Sequence, residues 1–130
     1  MKNFRDNPPD RCYYCKTELF SKIKNIGRKF GIENCVDATN YDDRLDMRFG
    51  RIAARELGIK SPLFEAKITK DEIRKDSKNL GLSTYNKPSF ACLASRFPYN
   101  QRITEESLRK VAEGEDFLRK LGLWQVRLRV

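Results

Sequence analysis

The chain has 130 residues and contains no histidine, while glycine and tryptophan are scarce, with seven copies and one copy. No apolar run reaches membrane-spanning length, and residues 1–10 lack the apolar segment of a secretory signal. These absences predict a cytoplasmic protein with no membrane partner, where thiols, metal ligation or redox chemistry are favoured over disulfides. Without imidazole, a four-ligand zinc site would require every cysteine, namely Cys12, Cys15, Cys35 and Cys92.

The charge balance is strongly basic. Lys and Arg number 27 against 18 Asp and Glu, a net charge of +9. Such a balance favours an anionic partner, which includes RNA, a phosphate-bearing nucleotide and an acidic protein face. Charge alone does not choose among these partners.

Hydrophobic periodicity and capping residues predict alternating helices and strands, with a break near residue 100. Residues 82–102 follow neither period and are predicted to form a long loop. The last strand has no turn or cap after it, so we expect the chain to be part of a longer protein. The predicted helices cover residues 12–30, 50–57, 69–80 and 103–121, and the predicted strands cover residues 34–37, 61–66 and 124–130.

Two cysteines form a CxxC motif in the segment RCYYCK, residues 11–16, at the predicted start of the first helix. The spacing lets two thiolates approach one metal, and the helix N-terminus with Arg11 and Lys16 favours the thiolate form. A redox CxxC would follow a thioredoxin-like strand, which the Pro8-Pro9 segment does not supply. Metal ligation and two merely structural cysteines are the alternatives that remain.

Cys92 lies in the segment KPSFACLASR, residues 87–96, inside the predicted loop and close to Arg96. A loop cysteine beside a cation is typical of a reactive thiolate or of a cluster ligand, and three cysteines leave one iron of a cluster open to an outside ligand. A small side chain packed under the loop is the alternative. Cys35, within a predicted strand, is expected in the core.

Two further polar groups suit phosphate chemistry. Residues 37–43 combine carboxylates with the amide of Asn40 after a predicted strand, a setting for Mg²⁺ and phosphate-bearing substrates. Arg127 and Arg129 alternate with apolar residues, so they share one face of the last predicted strand and suit a phosphate. A solvated acidic loop and an ordinary surface pair are the respective alternatives.

In this order, the segments resemble the PP-loop ATP pyrophosphatases, and most closely the LarE group of ATP-dependent sulfur transferases, which thiolate a nicotinate-derived nucleotide. The resemblance spans nearly the whole chain. It implies an α/β fold, with part of a Rossmann-like (adenine nucleotide alpha hydrolase-like) ATP-pyrophosphatase domain over residues 1–98 and the start of a smaller α+β domain over residues 99–130. The segments that carry it are NP at 7–8 before RCYYCK, DATNYDD at 37–43, SPL at 61–63, TKDEIR at 69–74 and, most specifically, ACLASRFPY at 91–99.

The resemblance implies a role for the cysteines. In that family ATP adenylylates the substrate carboxylate, and the cysteine that matches Cys92 attaches to the substrate and gives up its sulfur. Members that also carry the CxxC are similar to cluster enzymes, which implies a [4Fe-4S] cluster held by Cys12, Cys15 and Cys92. Sulfur would then come from the cluster, and the cysteines would survive turnover.

The resemblance also implies where the substrates bind. Asn40 and Asp43 fall on the side of ATP and Mg²⁺, and the acceptor is a small nucleotide-like molecule. The protein is expected to be a homo-oligomer. The positions that match substrate or phosphate contacts are Ser95, Arg96, Arg127 and Arg129.

The sequence departs from the family pattern in three places. The phosphate loop SGGxDS is absent and no glycine pair occurs, so the chain is expected to need an N-terminal PP-loop segment or a partner chain before ATP is used. Asp37-Ala38 replaces Asp-Gly, and Arg48-Phe49-Gly50 replaces Arg-Pro-Gly. The last two departures leave the acceptor open.

Two rival functions remain at this point. A related PP-loop tRNA thiolation enzyme would suit the net charge of +9 and would bind tRNA with a steep salt dependence. A zinc-stabilised binding module without catalysis would use every cysteine and would unfold on chelation.

Overall fold

The computed structural model describes residues 2–45 and 49–130, and this part of the chain is mainly helical. Arg48 of the RFG segment lies outside the described residues. Short 3-10 helices occupy Tyr41–Leu45 and Leu93–Arg96. The α-helices are α1 (Lys2–Arg5), α2 (Arg11–Lys29), α3 (Phe49–Glu56), α4 (Pro62–Glu65), α5 (Lys70–Asn79) and α6 (Glu105–Lys120).

The predicted long helices are confirmed as α2, α3, α5 and α6, and two of them begin at capping boxes. Thr69 accepts a hydrogen bond from the backbone of Glu72, and the Glu72 carboxylate accepts one from the Thr69 N–H at 2.8 Å. Thr104 and Ser107 form the same reciprocal pair at the start of α6. Each box provides partners for amides that a helix start leaves open.

The predicted strands agree less well with the structure than the predicted helices do. The strand over 61–66 is wrong, because Pro62 stands at the first position of α4, where its fixed φ suits a helix. Residues 124–130 form no strand, since no neighbouring strand pairs with them among the described residues. The strand over 34–37 is reduced to one parallel bridge between Val36 and Lys60, and α1 was not predicted at all.

The chain divides into two compact units, and the first comprises residues 1–11 and 88–130. Its core contains Ala94, Phe97, Ile103 and Val111, which are at most 4% exposed. Phe4, Leu93 and Leu108 pack against this core. The first unit therefore gathers its apolar side chains from α1, the loop before α6 and α6 itself.

The second unit, residues 12–87, has a smaller core of Phe20, Ala54 and Ile59, against which Cys35 and Leu57 pack. Cys35, which was predicted in the core, is half-buried and packs against this core. One side of α2, together with Phe30 just after its end, carries apolar residues at helical spacing. Their exposed fractions lie between 42% and 76%, at Leu19, Ile23, Ile26 and Phe30.

The predicted α/β class stays a prediction, because the β structure of the described residues is limited to the Val36–Lys60 bridge. The predicted division into residues 1–98 and 99–130 also stays a prediction, and the compact units have other boundaries. Within residues 2–45 and 49–130, no helix has both the length and the apolar character that crossing a bilayer requires.

Candidate functional site

The CxxC cysteines lie in the first turns of α2, as predicted. Cys12 is exposed and Cys15 is half-buried, and their spacing of three residues places them on the same side of the helix. A Cβ added at Gly50 would come within 3.1 Å of Lys16 Cγ and 3.9 Å of the Cys12 carbonyl oxygen. Glycine at this position therefore lets the start of α3 approach the first turn of α2 closely.

Between the two cysteines, Tyr13 connects α2 to α3. Its hydroxyl donates a 2.7 Å hydrogen bond to Glu56 Oε2. The hydrogen bond to Glu56, with the negative charge of that carboxylate, raises the pKa of Tyr13 above its ordinary value. The phenol, which lies within the cysteine motif, therefore stays protonated.

Cys92 lies at the start of the Cys92 turn, residues 92–96, in the first unit. It is exposed, and its carbonyl oxygen accepts a 2.9 Å hydrogen bond from the Ser95 N–H. Ala94 and Arg96, on the other side of the turn, are 2% and 3% exposed. The turn therefore exposes Cys92 and Ser95 and buries Ala94 and Arg96.

Asn7 fixes the chain just after this turn. It is fully buried, has a left-handed backbone with φ of 52°, and its Nδ2 donates a 2.7 Å hydrogen bond to the Pro98 carbonyl oxygen. The Asn7 carbonyl oxygen in turn accepts from the Asn100 N–H at 2.8 Å. Asparagine tolerates the left-handed region better than other residues with a side chain, so the NP segment has a structural reason to begin with Asn7.

A buried ion pair anchors the turn to α6. The Arg96 guanidinium donates from Nε and Nη2 to the two carboxylate oxygens of Glu115, the second hydrogen bond measuring 3.0 Å. Both side chains are 2% exposed. Arg96 Nη1 also donates to Ser95 Oγ at 2.8 Å. Every nitrogen of the guanidinium thus has a partner within the chain, and a substrate contact of Arg96 stays a prediction.

The pair shifts the titration of both partners toward the charged forms. Hydrogen bonding to Glu115 raises the pKa of Arg96, although burial opposes this shift. Hydrogen bonding from Arg96 lowers the pKa of Glu115, and the Leu128 N–H and the Arg119 charge lower it further against the effect of burial. Glu115 therefore stays ionised well below neutral pH, where most isolated buried carboxyls would be protonated.

Sequence reasoning missed Glu115, although the sequence held a signal. The residue lies four positions after Val111 and seven after Leu108, so it falls on the apolar side of α6. A carboxylate on that side of a helix requires a buried cationic partner, because an unpaired buried charge is too costly. Arg96 is that partner.

The segment that carries Arg127 and Arg129 is also held by Glu115. The Leu128 N–H donates a 3.1 Å hydrogen bond to Glu115 Oε1, while both arginines are exposed. A Cβ added at Gly114 would lie 2.7 Å from Leu128 Cδ2, so glycine lets Leu128 pack directly on α6. Both cations are exposed to solvent, and their predicted contact with a phosphate stays a prediction.

The carboxylates of the acidic loop over residues 37–43 accept hydrogen bonds from groups within the chain. Asp37 accepts hydrogen bonds from the Thr39 N–H at 3.1 Å and from Ser61 Oγ at 2.8 Å. Asn40 donates from its N–H to Asp43 Oδ2 at 3.1 Å, and both residues are half-buried. Since internal contacts already use Asp37 and Asp43, the predicted role of Asn40 and Asp43 toward ATP and Mg²⁺ stays a prediction.

Cys12 and Cys15 belong to the second unit and Cys92 to the first, so each unit places its own part of the predicted site. Among the described residues, no group of three or more Cys, Asp or Glu side chains is arranged to hold a metal ion. The four cysteines are thiols in the structure. The predicted cluster and the role of each cysteine stay predictions.

Comparison with known proteins identifies relatives along almost the whole chain. An uncharacterized protein of Synechocystis sp. is 45% identical over 127 residues, which are 98% of this chain and 47% of the relative. An uncharacterized protein of Methanocaldococcus jannaschii is 37% identical over 123 residues, covering 95% of this chain and 48% of the relative. The chain thus spans about half the length of the curated relatives it matches.

A third relative has a name that describes its product. The pyridinium-3,5-bisthiocarboxylic acid mononucleotide synthase of Lactiplantibacillus plantarum is 34% identical over 127 residues, covering 98% of this chain and 46% of the relative. No protein-family model matches the chain. The chain is therefore similar, over nearly its whole length, to about half of a synthase of a thiocarboxylic nucleotide.

Proposed function

We propose that the chain is part of an ATP-dependent sulfur transferase of the LarE type in the PP-loop family, acting in the cytoplasm on a small nucleotide-like substrate. The observation that carries this proposal is the 34% identity, over 98% of the chain, to a synthase whose product is a bisthiocarboxylic acid mononucleotide. A thiocarboxylic acid arises from a carboxylic acid only when sulfur replaces an oxygen. Adenylylation by ATP would turn that oxygen into a leaving group.

The placement of Cys92 supports a role at the reacting centre. The thiol is exposed at the start of a turn whose other end is fixed by the buried Arg96–Glu115 pair. A thiol on a held turn keeps its position and stays accessible, which suits a ligand of a cluster that meets the substrate. In this proposal the exposed Arg127 and Arg129, with Ser95, bind the substrate and its phosphate.

The chemistry of the donor set suits an iron–sulfur cluster. Cys12 and Cys92 are exposed thiols, Cys15 is half-buried at the positive end of α2, and thiolates are the usual ligands of such clusters. We therefore propose that these three cysteines hold a [4Fe-4S] cluster. When bound, the cluster would supply the sulfur atom. The chain's own part would be to bind three irons and to leave the fourth open.

The ATP site of the proposed enzyme needs residues that this chain does not provide. No SGGxDS loop is present, so the ATP phosphates would be bound by a PP-loop segment outside residues 1–130, in the Rossmann-like domain that the resemblance implies. Asn40 and Asp43 would face ATP and Mg²⁺ after a rearrangement of their present hydrogen bonds. The active protein would be a homo-oligomer.

The first experiment measures iron, zinc and acid-labile sulfide in the chain purified without oxygen. We expect about four irons and four sulfides per chain, as a full cluster contains. Cys92→Ala should lose or degrade the cluster, because one of its three thiolates is removed. Cys35→Ala is the matched control, since Cys35 packs in the core of the second unit and is not a proposed ligand.

Two outcomes would contradict the cluster. One zinc per chain without sulfide would favour the zinc-stabilised binding module. A chain without any metal would leave Cys92 as a donor that is consumed, and the Cys92 peptide would then lose its sulfur after one turnover. Turnover is measured with the chain fused to the part of the 45% identical relative that lies outside the matched residues, with ATP and a carboxylated pyridine mononucleotide.

The net charge of +9 favours a second candidate, a tRNA thiolation enzyme of the same family. This enzyme would bind tRNA with an affinity that falls steeply as salt rises, because each neutralised phosphate releases counterions. A filter-binding titration of tRNA at about 50 mM and about 200 mM salt separates the candidates, because the affinity of phosphate contacts falls strongly over this range. Binding at 50 mM that weakens by about a thousandfold at 200 mM favours tRNA, and no binding at either concentration removes this candidate.

A further inference from the structure

We infer that Glu115 is a positioning residue, whose single carboxylate holds the Cys92 turn and the Arg127–Arg129 segment in fixed relation to each other. Its importance for sulfur transfer rests on the proposed function, whereas the coupling of the two segments rests on geometry alone. All the residues involved belong to the first unit. Glu115 is 1% exposed and lies on no surface that a substrate could reach directly.

The connection to the Cys92 turn runs through Arg96. The carboxylate accepts from Nε and Nη2 of the guanidinium, and Arg96 Nη1 donates to Ser95 Oγ at 2.8 Å. Two parallel hydrogen bonds fix the plane of the guanidinium as well as its position. The orientation of Ser95, which shares the exposed side of the turn with Cys92, is therefore set by a residue of α6.

The connection to the arginine segment runs through the backbone. The Leu128 N–H, between Arg127 and Arg129, donates to Glu115 Oε1 at 3.1 Å. The two segments also meet directly, because the Val130 N–H donates to the Arg96 carbonyl oxygen at 3.1 Å. A hydrogen bond to the backbone fixes the register of the segment whatever side chains flank it, so Glu115 sets where the two exposed arginines stand.

The geometry requires a carboxylate and not merely a polar side chain. Oε1 accepts from Arg96 Nε and from the Leu128 N–H, and Oε2 accepts from Arg96 Nη2 and lies 3.5 Å from Arg119 Nη1. Glutamine offers one oxygen and one NH₂ group, so in either orientation it turns a donor toward a donor. Glu115→Gln should therefore free one segment or both while changing side-chain volume little.

Amide hydrogen exchange tests the coupling in the 130-residue chain. In Glu115→Gln we expect the Leu128 amide and the Ser95 amide to exchange faster together, each by about tenfold or more, as for the loss of a hydrogen bond to a charged group. Glu113→Gln is the matched control on the same helix. Glu113 is 68% exposed, and its Oε1 forms only a long contact of 3.9 Å with Arg109 Nε. There, exchange at both amides should match the wild type. Unchanged exchange in a folded Glu115→Gln protein would overturn the inference.

A second variant covers the case in which Glu115→Gln fails to fold. Arg96→Met/Glu115→Leu removes both charges and fills the space with apolar groups, a replacement that proteins often tolerate. It leaves the Leu128 N–H without its acceptor, so exchange at Leu128 should again rise by about tenfold. Wild-type exchange at Leu128 in the double variant would overturn the inference as well.

The fused enzyme described above separates positioning from general destabilisation. If the arginine segment shifts, Glu115→Gln should raise the KM for the pyridine mononucleotide by about tenfold while the KM for ATP stays unchanged. An unchanged KM for the pyridine mononucleotide would contradict the positioning of the arginine segment by Glu115. If no variant and no wild type transfers sulfur, the proposed function fails, and the exchange experiment still decides whether Glu115 couples the segments.

Discussion

Each compact unit contains a group of hydrogen-bonded charged side chains, and the two groups lie in opposite environments. The first unit buries Arg96 and Glu115 against each other inside its core region. The second unit keeps the carboxylates of residues 37–43 at its surface, half-buried or exposed, where Asp37 and Asp43 accept from nearby amides and hydroxyls. A lost partner in the first unit leaves a charge that water cannot reach, whereas a lost partner in the second is replaced by solvent. The comparison shows where single substitutions should be costly.

The largest expected effect comes from Arg96→Ala. Removal of the guanidinium leaves Glu115 buried without its counter-charge, and breaking such a pair typically costs about 3–5 kcal/mol of unfolding free energy. Asp37→Ala, in the second unit, should cost about 1 kcal/mol, because water can replace the lost hydrogen bonds. Urea denaturation followed by circular dichroism measures both. Equal losses for the two variants would break the comparison between the units.

A smaller effect should appear as acid sensitivity of the same pair. The folded state lowers the pKa of Glu115, so its contribution to stability is present above the unfolded pKa of about 4.3 and disappears as pH falls through the folded pKa. We expect the unfolding free energy of the wild type to decrease over that acidic range. The unfolding free energy of Arg96→Met/Glu115→Leu should decrease less between about pH 7 and about pH 3, a range that includes the titration of a carboxyl group. A parallel decrease in both proteins would contradict the assignment of this stability to Glu115.

The smallest effects should be alike in the two units. Thr69→Ala in the second unit and Thr104→Ala in the first each remove one half of a capping box and should cost about 1 kcal/mol. Thr17→Ala is the control, since Thr17 donates to the Tyr13 carbonyl oxygen inside α2 and caps no helix start; its cost should be near zero. Unequal costs at the two caps would show that the units differ in more than their buried charges.

The helices were predictable because their signals are local. The Thr69–Glu72 box lies within four consecutive residues, and the apolar periodicity of α2, α3 and α6 lies within single segments. Strands depend on a partner distant in sequence, so alternation in residues 124–130 could predict a strand that no neighbour completes among the described residues. At residues 61–66 the apolar pattern outweighed Pro62, whose preference for a helix start proved decisive.

The candidate site was predictable only in part. The position of the CxxC at the start of a helix was predicted correctly, and Cys92, Arg127 and Arg129 are exposed, while their roles stay predictions. Arg96 was predicted to contact substrate, and its burial depends on a carboxylate nineteen residues away. No local pattern in the Cys92 turn predicts that partner, so the pair is visible only in the three-dimensional structure.

The shared carboxylate of Glu115 also restricts how the sequence can evolve. A charge swap between positions 96 and 115 would leave the Leu128 N–H facing a guanidinium, so the pair cannot be inverted as many surface pairs can. A single neutral substitution at either position leaves a buried charge alone. We therefore expect relatives to keep both residues or to replace both together, which would make positions 96 and 115 covary in the descent of this protein.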